Sequence, residues 1–461
     1  MTLLEQANTL AQTGQLPAAL THYAQLLLLE PENAVAWNNQ GHVQDDLKLR
    51  DEALFSFNRA LALKPNYVQA LCNKGVVLLA LHRHDESLAS FDACLALNPE
   101  FAMAHTNRGN VLRTLGRFEE AITSHDRAIA IDAEFANAHW NQSLCMLLIG
   151  DYAKGWPQYE WRWTASGPSG QVQSTPRPTW LGGEYIDGKR IILWPEGGDG
   201  DVFQFVRFAP MLKARGASVM LPTRVSMIAL FASSFPDIEL IPMQDASLAP
   251  EFDYQSSLMS MPLALGLNRE SQVPAQVPYL VPNTSHVLAW AKKLTIQVTG
   301  KCRIGLCWAG NPITEEDNLR SLHLTQLSEL LLAAPSLGVQ LVSLQKGYAA
   351  AQLMAWNTDH PHASILDLSS DTSNWADTAA LIANLDFVIT TCTSIAHLAG
   401  AMGKPTWVLL GRSAYWLWSS GRSNNVWYPT VRLFRQPKFG DWETVMQEVT
   451  IALAAQLQNE N

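Results

Sequence analysis

The sequence lacks the features of a membrane-spanning, secreted or disordered chain. No apolar run of about 18 residues is free of charge, so we expect no transmembrane helix. The N-terminus has no basic segment followed by an apolar one, so we expect no signal peptide. Hydrophobic residues make up 48% of the 461 positions, which excludes a disordered chain. We therefore expect a cytoplasmic protein of several domains.

Cysteines and basic residues are also few. The six cysteines form no CxxC pair, which predicts free thiols in a reducing compartment rather than a disulfide framework. The 32 Lys and Arg residues are outnumbered by 42 Asp and Glu, for a net charge of -10. Binding nucleic acid needs basic surface that displaces counterions, so we expect no nucleic-acid partner.

A 34-residue repeat fills the first third of the chain. Its columns are Pro31, Pro65 and Pro99; Ala36, Ala70, Ala104 and Ala138; Gly41, Gly75 and Gly109; and Tyr23, Phe57, Phe91 and His125. Small residues let paired helices approach, an aromatic ring fills the gap, and proline ends the second helix. Two helices per 34 residues is the tetratricopeptide pattern. We predict an α-helical tetratricopeptide solenoid over residues 1–164.

Asparagine keeps the same period, at Asn39, Asn73, Asn107 and Asn141. Helical solenoids present extended concave surfaces that bind partners, so we expect a protein or peptide here. The asparagine side chains either hydrogen-bond an extended peptide backbone or only tie adjacent helices together. The sequence leaves both interpretations open.

Residues 165–188 are rich in Gly, Pro, Ser and Thr, which predicts a linker. Beyond it, short apolar strands alternate with helical patterns, which predicts an α/β region of parallel sheets. We expect two halves, 189–295 and 296–440, that meet near 283–300, and a C-terminal helix over 441–461. Ligands of such folds bind beyond the carboxyl ends of the strands, in a cleft between halves.

The Gly-rich turn before Asp201 is the first candidate site. A strand ends at Trp194, glycines allow a ligand to approach the backbone, and a helix follows. Asp201 either acts as a general base on a hydroxyl or merely caps the helix. Asp199 and Asp201 also spell DxD, a metal-binding signature of some sugar transferases, but we favour a metal-free site.

Three further turns follow strands and carry polar residues. The Thr393–His397 turn offers backbone amides and hydroxyls that suit a diphosphate, or is an ordinary capped turn. Arg320, after the Trp308 strand end, either binds a phosphate or forms a surface ion pair with Glu315 or Glu316. Lys346 either contacts a nucleotide or is solvated.

The motifs beyond residue 150 resemble those of heptosyltransferase-like bacterial glycosyltransferases, here joined to tetratricopeptide repeats. They are GDYAKGWPQYEWRW (150–163), EGGDGDVFQFVRF (196–208), GLCWAGNP with the later RS (305–321), SLQKG (343–347), ADTAALIANLDFVI (376–389), TSIAHLAGAMGKPTWVLLG (393–411) and GRSNNVWYPTVRLFRQ (421–436). The layout also resembles protein O-glycosyltransferases, including O-GlcNAc and flagellin glycosyltransferases.

The resemblance implies a GT-B fold of two Rossmann-like halves and an inverting, metal-independent transfer, with no cofactor beyond the donor substrate. It implies that Asp201 is the base. The residues expected at the nucleotide-sugar are Gly200, Trp308, Asn311, Arg320, Gln345, Lys346, Thr393, Ser394, Ile395, Ala396 and His397. The sequence departs from the family pattern in having Cys392, Thr314 and Leu417 where the family has Asp, His and Arg.

Three functions follow as hypotheses. The first is transfer of a sugar from a nucleotide-diphosphate donor to a hydroxyl, such as that of a Ser or Thr on a protein held by the repeats. The second is a degenerate transferase domain that serves as a scaffold, which the three departures motivate. The third is a transferase that acts on lipopolysaccharide. The sequence names neither the sugar and nucleotide nor the oligomeric state.

Overall fold

The computed structural model describes residues 1–165, 176–248, 251–297, 302–312 and 317–459. The chain forms two compact units. The first comprises mainly Met1–Met146, and the second comprises Leu147–Trp163 and Gly167–Asn461. Within the described residues, no helix combines the length and apolar character needed to cross a membrane.

Helices that pair in sequence order build the first unit. They are α1 (Leu3–Gln12), α2 (Leu16–Leu29), α3 (Ala34–Asp46), α4 (Arg50–Leu63), α5 (Val68–Ala80), α6 (His84–Leu97), α7 (Ala102–Thr114), α8 (Phe118–Ile131) and α9 (Ala136–Ile149). A Cβ atom at Gly41 would lie 2.8 Å from the Phe57 ring, and one at Gly75 would lie 2.7 Å from Phe91. The small and aromatic columns of the repeat therefore pack against each other, as the sequence predicts.

Residues 147–163 belong with the second unit, so the repeat unit ends before the predicted boundary at 164. This segment contains α10 (Tyr152–Tyr159) and a turn of 3₁₀-helix. Tyr152 and Trp156 are buried, and the Trp427 indole donates a hydrogen bond to the Tyr152 hydroxyl at 3.0 Å. Helical periodicity continues across the boundary, so the sequence pattern does not mark it.

A parallel sheet with the strand order β3-β2-β1-β4 follows the linker. Its strands are β1 (Arg190–Trp194), β2 (Ser218–Thr223), β3 (Glu239–Pro242) and β4 (Tyr254–Ser257). The accompanying helices are α11 (Asp199–Phe205), α12 (Ala209–Ala214), α13 (Val225–Ser234) and α14 (Met261–Ala264). Trp194, which ends β1, lies opposite Ser257 of β4, so the Gly-rich turn begins beside Ser257.

A second parallel sheet has the order β10-β9-β8-β5-β6-β7. Its strands are β5 (Cys302–Cys307), β6 (Val339–Ser343), β7 (Leu366–Asp367), β8 (Phe387–Thr391), β9 (Thr406–Leu410) and β10 (Val431–Arg435). The accompanying helices are α15 (Thr284–Gln297), α16 (Asp317–Arg320), α17 (Ser328–Ala333), α18 (Gln352–Asp359), α19 (Trp375–Ala383), α20 (Ser394–Ala401) and α21 (Trp442–Asn459).

The predicted junction of the halves near 283–300 is largely helical, because α15 covers most of it and packs against α19. Parallel strands present their carboxyl ends at one edge of each sheet. Helix α11 follows β1 in the first sheet, and α20 follows β8 in the second. The two helices pack against each other, which brings the two candidate turns into one neighbourhood.

Candidate functional site

A buried ion pair anchors the Gly-rich turn. The Arg162 guanidinium donates to both carboxylate oxygens of Glu196, at 2.8 and 2.9 Å, and the Ser257 hydroxyl donates to the same carboxylate at 2.6 Å. Arg162 and Glu196 are both buried. Arg162 also donates to Glu160 at 2.7 Å and to the Ser260 hydroxyl at 2.8 Å. These bonds fix the start of the turn that leads to Asp201.

Asp201 lies in the first turn of α11. Its Oδ2 accepts a hydrogen bond from the Gly198 amide at 2.8 Å, so the capping interpretation of Asp201 describes a real contact. Its Oδ1 accepts from the Tyr415 hydroxyl at 3.3 Å. Burial raises the pKa of the Asp201 carboxyl above its ordinary value, although the two hydrogen bonds act in the opposite direction. A raised pKa suits a carboxyl that acts as a general base, whereas a carboxyl that only caps a helix does not need one.

The neighbouring Asp199 is already engaged by protein groups. Arg224 forms an ion pair with Asp199, and the Trp375 indole donates to the other carboxylate oxygen at 2.8 Å. In the ranges that the structure describes, no group of three His, Cys, Asp or Glu side chains is placed to hold a metal ion. The DxD pattern therefore gains no support from the geometry, and metal independence stays a prediction.

The start of α20 offers fewer free amides than the sequence suggests. The Ala396 amide donates to the Thr393 carbonyl at 3.0 Å. The amides of Ser394 and Ile395 have no acceptor among the described residues. The Thr393 hydroxyl lies 3.1 Å from that of Thr390. Two amides and the partly exposed Ser394 remain as candidate anion ligands at this turn.

Arg320 lies beside the same turn. Its Nη1 donates to the Cys392 carbonyl at 3.2 Å, and its Nε donates to Asp317 at 3.0 Å. Arg320 therefore forms an ion pair with Asp317. The predicted partners Glu315 and Glu316, and Thr314, which differs from the His of the resembled family, lie outside the described residues. A guanidinium at this position can add charge-assisted hydrogen bonds to an anion.

Cys392 occupies the position at which the resembled family has Asp. The Trp418 indole donates to the Cys392 sulfur at 3.0 Å, and burial raises the pKa of the thiol. The thiol is therefore protonated near neutral pH and adds no charge to the turn. A site here depends on Arg320 and the backbone rather than on an acidic group.

His397 lies on α20 and packs against Gly200 of α11. Its Nδ1 lies 3.1 Å from the Tyr428 hydroxyl, and burial lowers its pKa to about 3, aided by the charges of Arg207 and Arg320. The imidazole is therefore neutral and does not bring positive charge to a diphosphate. A Cβ atom at Gly200 would lie 2.8 Å from the His397 ring, so Gly200 permits this close packing.

The other predicted nucleotide residues mainly shape loops. Trp308 is completely buried in the core of the second sheet. The Gln345 side chain accepts from the amides of Trp308 and Ala309, at 3.0 and 2.9 Å, and donates to the Ala309 carbonyl at 3.0 Å. Lys346 is exposed and donates to the Thr372 carbonyl. Asn311 is exposed, and its part in ligand binding stays a prediction.

The asparagines of the repeats form bonds between and within helices. Asn39 donates to Asn8 of α1 at 3.0 Å, and Asn73 donates to Asn38 of α3 at 3.2 Å. Asn141 donates to the Asn137 carbonyl within α9 at 2.8 Å, and for Asn107 neither interpretation is tested. These contacts support the helix-tying interpretation, and peptide binding by this column stays a prediction.

Sequence reasoning assigned no role in the site to several residues that the structure brings to it. Tyr415 reaches Asp201 from the second half, and Arg162 reaches Glu196 from the segment before the linker. Arg162 lies in a segment that carries the family resemblance (150–163), whereas Tyr415 lies between two such segments, so only Arg162 had a signal in the sequence. Four tryptophans of the second half are buried and pack in the core rather than facing a ligand: Trp407, Trp416, Trp418 and Trp427.

The tetratricopeptide repeat family matches residues 4–68 and 72–137, which shows that the first 140 residues or so contain these repeats. Protein FlbA of Caulobacter vibrioides is 28% identical over 330 residues, which cover 67% of this chain and 53% of FlbA. The match therefore spans about half the length of that relative.

Solved structures of MamA, PilW and YrrB are similar to about a third of the chain. MamA is 19% identical with a TM-score of 0.32, and the match covers 34% of this chain and 91% of MamA. PilW, a type IV pilus biogenesis factor, is 26% identical with a TM-score of 0.34, covering 36% and 78%. YrrB, a repeat protein with an unusual peptide-binding site, is 24% identical with a TM-score of 0.29, covering 31% and 74%.

Proposed function

We propose that the chain is a glycosyltransferase with two GT-B halves that moves a sugar from a nucleotide-diphosphate sugar to a hydroxyl of a bound protein. One observation carries the proposal. Helices α11 and α20 pack together at the carboxyl ends of two parallel sheets, and Asp201 on one has a raised pKa near the amide turn of the other. The tetratricopeptide repeats support the protein-binding part of this function.

The proposed chemistry is a single displacement. The oxygen of the acceptor hydroxyl bonds to the anomeric carbon of the sugar, and Asp201 takes the proton of that hydroxyl. The bond from that carbon to the diphosphate oxygen breaks, and its electron pair leaves with the diphosphate. Arg320 and the amides of Ser394 and Ile395 stabilise the negative charge that develops there. Attack from the face opposite the leaving group inverts the anomeric carbon.

We expect Asp201→Asn to lower turnover of the donor at least about 100-fold, because the base is lost, while donor binding changes little. Hydrolysis and transfer are measured with a panel of UDP-, GDP-, CMP- and ADP-sugars, and binding is measured by calorimetry. The matched control is Asp237→Asn, an exposed aspartate of the same half. Equal rates for wild type and Asp201→Asn remove Asp201 from the mechanism.

A protein-binding scaffold is the second candidate. Cys392 stands where the resembled family has an acidic residue. Its polar neighbours Arg320 and Trp418 donate hydrogen bonds to the carbonyl and the sulfur of Cys392. If calorimetry detects no binding of any donor in the panel, the scaffold function is favoured and sugar transfer is rejected. Binding with turnover that requires Asp201 rejects the scaffold.

A further inference from the structure

A groove in the first two repeats differs from the corresponding surface of the repeats that follow. It has a volume of about 640 Å³ and is lined by residues of α2, α3 and α4. Leu28, Trp37 and Phe55 provide its apolar walls, and Asp51 and Glu52 lie at its rim. This groove is separate from the asparagine column.

The apolar walls are unusually open to solvent. Leu28 is 83% exposed and Phe55 is 59% exposed. The Phe55 ring meets Trp37 edge-on, with 6.0 Å between ring centroids. Large exposed apolar side chains grouped around one concavity are typical of a binding surface.

The repeat itself supplies an internal comparison. One period later, Leu28 and Phe55 correspond to Ala62 and Ala89, and two periods later they correspond to Ala96 and Thr123. The later repeats therefore lack the apolar walls that Leu28 and Phe55 provide. The shared backbone pattern does not require Leu28 or Phe55, because smaller residues serve at the same positions.

The acidic rim also differs from its counterparts. Glu86 and Glu120 each receive two hydrogen bonds of 2.7 Å from an arginine at the helix N-cap, Arg83 or Arg117. At the corresponding cap of α4 stands Leu49, which is 41% exposed. Neither Asp51 nor Glu52 forms an ion pair within the described part of the chain.

Arginine side chains also lie near the groove. Arg59 stacks over the Trp37 ring at 5.7 Å, on the side of the groove that Trp37 forms. Arg50 donates to the Ala80 carbonyl at 3.3 Å. Asp51 also interacts electrostatically with Arg83 of the next repeat. Because neither Asp51 nor Glu52 forms an ion pair among the described residues, the two carboxylates are complementary to a basic group on a partner.

We propose that this groove docks a basic amphipathic segment of a partner protein, with apolar side chains between Leu28 and Phe55 and Lys or Arg residues at Asp51 and Glu52. The inference does not depend on sugar transfer, and its failure leaves the proposed function standing. The acidic rim favours a cationic peptide over an anionic lipid surface.

The test uses the full chain and two labelled helical peptides with the same leucine spacing, one with lysines and one with glutamates between the leucines. By fluorescence anisotropy we expect the Leu/Lys peptide to bind at least about tenfold tighter than the Leu/Glu peptide. The triple variant Leu28→Ala, Leu49→Arg, Phe55→Ala should weaken Leu/Lys binding at least about tenfold. Each replacement already stands at the same position of a neighbouring repeat, so the variant should fold.

Charge specificity is tested with a matched pair of variants. Asp51→Asn with Glu52→Gln should weaken Leu/Lys binding about tenfold, whereas Asp85→Asn with Glu86→Gln, one repeat later, should change it less than about twofold. Equal losses in the two pairs would show non-specific attraction and overturn the proposal. The proposal is also overturned if neither peptide binds or if the triple variant binds the Leu/Lys peptide normally. It is likewise overturned if the wild-type chain is a dimer and the triple variant is a monomer, because the groove would then bind a second copy of this chain.

Discussion

His125 occupies the repeat position that Tyr23, Phe57 and Phe91 fill in the preceding repeats. It is completely buried, and neither ring nitrogen has a hydrogen-bond partner in the described structure. Burial, with a smaller contribution from the charge of Arg113, lowers its pKa to about 3. A buried polar group without a partner costs about 1–3 kcal/mol, so this side chain reduces the stability of its repeat.

We expect His125→Phe to raise the free energy of unfolding of the repeat unit by about 1–2 kcal/mol at neutral pH. The gain should grow as the pH falls below 6.5, the ordinary pKa of histidine, because the unfolded chain then takes up a proton that the folded repeat excludes down to about pH 3. Thermal unfolding at pH 7 and pH 5 measures both effects. The control is His42→Ala at an exposed position of α3, and a pH-independent gain would contradict the low pKa.

At the scale of elements, the 147–163 segment is held to the first sheet by the buried pair of Arg162 and Glu196. We expect Arg162→Met to lower the free energy of unfolding of the α/β unit by about 3–5 kcal/mol, because it leaves Glu196 buried without its cation. Adding Glu196→Gln should recover part of the loss, since it removes the stranded charge. Urea unfolding measures both variants.

The exposed pair of Arg83 and Glu86 provides the contrast to this buried pair. Arg83→Met should change stability little, because water already solvates both groups. A double variant of Arg162 and Glu196 that is less stable than Arg162→Met alone would show that the charge of Glu196 is not the cause of the loss.

The sequence predicts most elements and few of the contacts between them. The apolar pattern of Ile191–Leu193 predicts a strand and that of Ala376–Ala383 predicts a helix, and the two segments lie within β1 and α19. Strand β4 carries the polar run Gln255–Ser257, which is buried but gives no hydrophobic signal. The bond between Tyr415 and Asp201 joins residues 214 positions apart, which no local pattern reveals.

At the scale of the whole molecule, the boundary between the units has a direct consequence. We expect a chain that starts at residue 147 to fold into the α/β unit and one that starts at residue 165 to fail, because the second lacks Tyr152, Trp156 and Arg162. Their loss would expose the buried Trp416 and Trp427 and leave Glu196 without its ion pair. Near-ultraviolet circular dichroism and size-exclusion chromatography distinguish the outcomes. Cooperative unfolding of the shorter chain would contradict this boundary.

Because the repeat has a period of 34 residues, each position of the proposed docking surface has an equivalent position in the other repeats. The apolar walls and the acidic rim depend on four positions of the period, those of Leu28, Trp37, Leu49 and Phe55, and the repeats share the same helical frame. Exchanging those residues between repeats would move the proposed docking surface along the solenoid without changing its helical backbone. A few substitutions in the repeats would thus test the proposed docking independently of the α/β unit, whose sequence stays unchanged.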